Sequence, residues 1–370
     1  MRRPAIGDAA ANRICWVVEM TETTYRNRKA VQFETAKLRV TVLREGGHIA
    51  GILDKASGVN PLWTPPWPSI EPSTYSEQAH PEYGRNAESL LLCGIMGHNV
   101  CMDIFGGPSE AEAAAGLAVH GEAAVAPYEI RPEGDGVSCA CELPEAGLRF
   151  TRVIQPGAND SLLVISESVE NLRATDRPIG WTQHVTLGPP FLEKGVTQFR
   201  VPGGRSKVFE ADFAGPHGRQ KPGAEFTWPH VPLKDGGAED LSVLTAAPKS
   251  GGFTTTLMDP GRRQVFFAAY SPGSKLLFGY AWDQADFPWL GRWEENYSRD
   301  LPPWNGKTLA LGMEFGVSPM PESRRQMVER GSLFGVPAFR WIPAKSVVRV
   351  TYHAFLQAAD ALPDNFTVTG

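Results

Sequence analysis

From Ala30 onward, apolar and polar residues alternate in short runs. Val31-Gln32-Phe33-Glu34-Thr35 and Leu38-Arg39-Val40-Thr41-Val42-Leu43 both have the period of two that places alternate side chains on opposite faces of a strand. After Gly46-Gly47 the pattern resumes in His48-Ile49-Ala50-Gly51-Ile52-Leu53. Further on, such runs return about every ten residues, the spacing of an antiparallel sandwich or barrel. Turns fall at 132–136, 144–147, 156–160 and 175–178, each rich in Gly, Pro, Asn or Asp. In the second half, 252–258, 263–270, 275–282, 308–317 and 346–356 read as strands. Helical pattern is scarce. Residues 109–115 qualify, with Ser109 as cap and Glu110 and Glu112 in the first turn, and 321–331 is a second short helix. The prediction is an all-β protein of antiparallel strands with a few short helices. Residues 1–28 lack the pattern and read as an N-terminal extension; 29–370 read as a single domain without internal repeats. Two irregular stretches stand out. Residues 64–88 form a long surface excursion, and 282–305 read as a loop dense in tryptophan.

Composition narrows this picture. The 370 residues include 38 Gly and 31 Pro, scattered between apolar runs as turns and not gathered into a disordered tract. A formal net charge of −5, with no run of Lys or Arg, gives no reason to expect a nucleic-acid partner or an anionic membrane surface. No segment reads as a signal peptide or a membrane span, so the expected compartment is the cytoplasm. The five cysteines, at 15, 93, 101, 139 and 141, fit no zinc spacing and read as reduced and buried. Cys139 and Cys141 belong on one side of a single strand. Nothing in the pattern sets an oligomeric state.

Candidate chemistry gathers at four places. Gly180 to Leu192 holds His184 in a β-favouring run that Gly188-Pro189-Pro190 stops abruptly. Gly97-His98-Asn99 and Val119-His120-Gly121-Glu122 supply two more histidines, and Met313-Glu314-Phe315-Gly316 places a carboxylate among apolar neighbours. Such surroundings raise a carboxyl pKa and suit it to general base work. Trp282, Trp289 and Trp293 offer faces on which a sugar ring could stack, with Asp283 and Arg292 beside them. Together these point to a site for a small-molecule sugar. Each residue has a plainer reading as well: His184 hydrogen-bonded at a strand end, Glu314 pointing outward, and about half of the tryptophans in the core.

The order of these motifs resembles the galactose mutarotase (aldose 1-epimerase) superfamily, nearest to its hexose-6-phosphate epimerase-like branch. Gly46-Gly47-His48-Ile49 resembles its early glycine turn. The stretch from Gly94 to Gly107, ending in Ile104-Phe105-Gly106-Gly107, resembles its glycine-rich segment. Val119-His120-Gly121-Glu122-Ala123 resembles its His-Gly motif, while His184 and Glu314 fall where the family has its second histidine and its late glutamate. The resemblance implies a supersandwich of antiparallel strands and an enzyme that interconverts sugar anomers. It implies Glu314 as base and His184 as acid, and no cofactor or metal; the residues themselves add His98, His120, Trp282, Asp283, Trp289, Arg292 and Trp293 as expected substrate contacts, with no family role carried over to His98. Three departures bear on this. Ala124 occupies the position where relatives often carry an arginine, which removes an anion clamp. The aspartate that holds a sugar hydroxyl is Asp283 or Asp259, and His98 replaces a proline. Two other functions remain open: a non-catalytic sugar-binding protein of this fold, or an isomerase or lyase acting on acidic sugars through Arg292 and Arg299. A metal held by His98, Asp103 and His120 would be a third variant.

Overall fold

The alternating runs of the sequence fold into two large antiparallel sheets that face each other. The computed structural model describes residues 20–211, 214–365 and 367–368. Strands account for 46% and helices for 8%. One sheet has 12 strands and the other 8, with two further two-stranded pairs. The middle of the large sheet is built, in spatial order, from His98–Asp103, Arg177–Leu187, Leu309–Gly316, Trp289–Asn296 and Ser250–Met258. Segments as far apart in sequence as His98 and Gly316 are therefore drawn into one curved surface, as in any sandwich with long-range pairing. No helix among the described residues is long and apolar enough to cross a membrane.

Alternation decides what faces the core. Along the Arg177–Leu187 strand, Trp181, Val185 and Leu187 point between the sheets; along Leu309–Gly316, so do Leu309, Leu311, Met313 and Phe315. This core also holds a polar cluster. Arg152 Nε donates to Glu167 Oε1 at 2.7 Å, and Glu167 further accepts from Trp181, Gln183 and Tyr352. Gln183 Oε1 in turn accepts from Arg152 and Tyr352. An ion pair in the middle of a sandwich persists only when its remaining lone pairs and protons are matched, and this one is.

The short helices are Ser89–Leu92, Glu110–Ala114 and Arg324–Arg330. The latter two open with reciprocal capping boxes from Ser109 and Ser323, the signal that marks them in the sequence. Two expectations need correction. Thr21–Tyr25, within the expected extension, is an edge strand paired with Arg28–Glu34. It is polar and largely exposed, so it carries no apolar alternation to reveal it. The tryptophan-rich stretch is not a loop throughout: Trp289–Asn296 is a strand, and all of its residues are buried. Covered on both faces, it shows no alternation either. The rest of the expected extension, residues 1–19, lies outside the described residues.

The 64–97 excursion closes over one face of the large sheet. Arg28, fully buried, fastens it, donating to Glu71 at 2.8 Å and to the Gly94 carbonyl at 2.6 Å. A second apolar cluster fills the space beneath, with Trp63 and, from the excursion, Leu91, Leu92 and Ile95 meeting Phe105, Phe253, Trp293 and Trp304.

Candidate active site

The candidate site lies beneath that excursion, on the face of the large sheet turned away from the sandwich core. His184 and Glu314 are cross-strand partners in the sheet, so both side chains leave the same face. Asn99 continues the row beyond His184, and Gly291 continues it beyond Glu314. His184 Nε2 lies 3.0 Å from Glu314 Oε1, and the other ring nitrogen, Nδ1, is 3.1 Å from Thr186 Oγ1. The contact with Glu314 lacks the alignment of a hydrogen bond, so Oε1 keeps its capacity to bind. Gly312, two residues before Glu314, leaves the carboxyl its room: a Cβ there would come within 2.1 Å of Oε1.

His120 enters from a loop. Its ring lies 4.7 Å from that of His184, centroid to centroid. The loop is pressed against the His98–Asp103 strand, where a Cβ on Gly121 would fall 2.0 Å from the Met102 carbonyl oxygen. Gly121 also has φ of 75°, so glycine is required there on both counts. Trp293 stands on the other side of His184 at 5.9 Å. The cavity above these groups has a volume of about 70 Å³. Leu91, Leu92, Ile95, Phe105, Val119, Phe253, Trp304 and Pro321 complete its wall. At the mouth, Arg299 donates to Glu88 at 3.2 Å and lies over the Trp304 ring.

Burial sets the protonation of the pair. Removal from water pushes the Glu314 carboxyl up to about 8. The same effect pushes the His184 imidazole down to about 4, against a smaller opposing hydrogen bond from its own backbone. His120 is also held well below the ordinary histidine value, first by burial and then by His184. At neutral pH the site thus holds a protonated carboxyl beside neutral imidazoles. The sequence suggests that His184 and Glu314 titrate near each other; enclosure instead drives their values apart.

The other expected residues scatter. His98 points to the opposite face, between the sheets, with Nδ1 3.0 Å from Tyr280 Oη and Nε2 2.9 Å from Gln183 Oε1. Trp282 is core, stacked on Phe315 at 4.2 Å. Asp283 lies at the surface against Arg263, and Asp259 is likewise remote from the cavity, beside Arg262. Trp289 is fully buried, its Nε1 donating to the Pro337 carbonyl. Arg292 faces the interior and pairs with Glu294 at 3.0 Å. Period-two alternation explains two of these departures: Arg292 is one residue from Trp293, and His98 one from Asn99, so each falls on the wrong face; Trp282 and Asp283 instead belong to the other sheet, and Trp289 shares the face of Trp293 but lies against Phe334. Asp103 is bound to Arg177 and Arg324, so His98, Asp103 and His120 do not converge. Among the described residues no group of His, Cys, Asp and Glu is arranged to hold a metal ion.

Sequence reasoning passed over Asn99, which is fully buried with neither side-chain polar atom hydrogen-bonded. It also missed the apolar walls, whose residues come from distant segments without a shared motif. A roomier surface cleft, about 780 Å³ between Tyr25 and the 64–69 run, lies elsewhere and is lined by no His, Asp or Glu.

No protein-family model matches the sequence, and none of the curated proteins does. Solved structures do match. A candidate aldose 1-epimerase from Klebsiella pneumoniae has 15% identity and a TM-score of 0.66, covering 90% of this chain and 80% of its own. A galactose mutarotase-like protein from Clostridium acetobutylicum has 12% identity and a TM-score of 0.58, covering 92% and 99%. A candidate aldose 1-epimerase from Escherichia coli K12 has 12% identity and a TM-score of 0.59, covering 92% and 100%. At such identities the likeness is one of architecture, and it does not single out the hexose-6-phosphate branch. The chain has the galactose mutarotase-like fold.

Proposed function

We propose that this protein is an aldose 1-epimerase-like enzyme, an isomerase that interconverts the anomers of a small sugar. The observation that carries this reading is the Glu314–His184 pair, side by side on the floor of a largely apolar, tryptophan-walled cavity in this fold. Anomer exchange needs one group to take the proton of the anomeric hydroxyl and another to protonate the ring oxygen. These two oxygens share a carbon, so an acid and a base in contact with each other can reach both. The ring opens, the C1–C2 bond rotates, and reclosure reverses the two transfers. The pair needs a single proton for this. In the free site that proton resides on Glu314, because burial disfavours both charges. Glu314 then acts as the acid and His184 as the base in ring opening, with the roles exchanged on reclosure. The assignment implied by the resemblance, Glu314 as base and His184 as acid, is the other arrangement of the same proton.

Saturation-transfer NMR of anomer exchange over a panel of aldoses tests the reading. Acceleration by the protein that is lost in Glu314→Gln supports it. No acceleration with any aldose overturns it in favour of a sugar-binding protein without catalysis. An enzyme for acidic sugars has less to support it: Arg292 faces the sandwich interior, and Arg299 is already matched by Glu88 and Glu295.

A further inference from the structure

The cavity's chemistry restricts the sugar more closely than its fold does. A pyranose carries hydroxyls around its whole rim, and a site that buries it must match each one or leave it unpaired. Here the inward polar side chains are concentrated at the floor: Glu314, His184 and His120. The two reacting oxygens occupy Glu314 and His184, which leaves His120, and Asn99 beside His184 in the row, for one or two neighbouring hydroxyls. Above the floor the wall is hydrocarbon and aromatic ring: Leu91, Leu92, Ile95, Phe105, Val119 and Phe253. No aspartate lines it. The mouth carries charge, but Arg299 there is matched by Glu88 at 3.2 Å and Glu295 at 3.5 Å, so it presents no net positive charge to a phosphate or carboxylate. Ala124, where an arginine would serve as a clamp, is buried.

Resting on the epimerase reading above, we infer that the substrate is an uncharged, hydroxyl-poor aldose: a deoxy sugar whose methyl or methylene lies against the apolar wall. An apolar pocket discriminates against an added hydroxyl by on the order of 10²-fold at best. The preference for a deoxy sugar over its hydroxylated parent is accordingly about 10- to 100-fold.

The test uses the full chain and matched pairs: D-galactose with its 6-deoxy form, and D-glucose with its 6-deoxy and 2-deoxy forms. Glucose 6-phosphate and glucuronate serve as charged comparisons. Anomer exchange is followed by NMR, and binding of the same sugars by tryptophan fluorescence, since Trp293 and Trp304 line the cavity. The expected result is a kcat/KM at least about tenfold higher for one or more deoxy sugars than for their parents, with the charged sugars bound no better than glucose. Parents equal to or better than every deoxy form, or tighter binding of a charged sugar, overturns the inference. Binding separates the two proposals. Tighter binding of deoxy sugars without accelerated exchange upholds the substrate class and removes the epimerase reading. Accelerated exchange without deoxy preference does the reverse. Absence of binding by every sugar removes the substrate class.

Discussion

His184 and Glu314 sit opposite each other on adjacent strands with Nε2 and Oε1 3.0 Å apart. In the proposed reaction the two residues act as one acid–base unit. Glu314→Gln and His184→Asn are each expected to lower anomer exchange by about 10²- to 10⁴-fold, the usual range for a positioned acid or base. Because either loss leaves the partner without its exchange, the double variant is expected to be little worse than the worse single one. Sugar binding, followed by tryptophan fluorescence, persists in both single variants. Equal activity in wild type and Glu314→Gln would remove the carboxyl from the chemistry.

The one-proton state also sets a pH window. Glu314 loses its proton near 8, and His184 gains a second one for the pair near 4. The kcat/KM for anomer exchange is expected to be flat between these values and to fall on either side, reporting the free enzyme. A limb near 6.5 instead would mean that His184 titrates as if exposed to water.

Stability follows the same protons with opposite signs. Glu314 is raised from 4.5 to about 8, so its stabilising share is complete below 4.5 and is lost as pH rises through 8. His184 is lowered from 6.5 to about 4, so its neutral burial costs nothing above 6.5 and costs stability as pH falls toward 4. Between 4.5 and 6.5 the two slopes cancel. From 6.5 to 8 only the Glu314 slope remains, at most about 1.4 kcal/mol per pH unit. Urea midpoints across this range are expected to decline in the wild type and to stay level in Glu314→Gln.

The tryptophans divide by role. Trp282→Ala removes a core ring stacked on Phe315 and is expected to cost about 3–5 kcal/mol of stability. Trp293→Ala acts next to His184 and is expected to weaken sugar binding severalfold at a smaller cost to the fold. Denaturation and binding titrations on both variants give the comparison. A reversal of the two effects would place the site elsewhere.

Much of this was legible in the sequence, for identifiable reasons. Strands with one polar face, such as Leu38–Leu43, declare themselves by alternation, and Ser109 marks its helix by capping. His184 and Glu314 stood out in the sequence as a histidine in a β-favouring run ended by Gly188-Pro189-Pro190 and a carboxylate among apolar neighbours. The edge strand Thr21–Tyr25 and the doubly covered Trp289–Asn296 were not, because neither has one wet and one dry face. Two of the errors in the candidate site were errors of parity. His98 was chosen over Asn99, and Arg292 was grouped with Trp293, although neighbours on a strand face opposite ways. The walls, drawn from the excursion and several strands, have no local signature at all.

The alternation of Gln183 and His184 has one more consequence. Gln183 closes the polar cluster between the sheets, while His184 meets Glu314 on the far side. A slip of this strand by one residue would thrust His184 into hydrocarbon and strand the Arg152–Glu167 pair without its amide. Misalignment is therefore penalised on both faces at once. The chain carries its own proofreading for the pairing of distant strands, so any molecule that completes the core also brings His184 and Glu314 side by side.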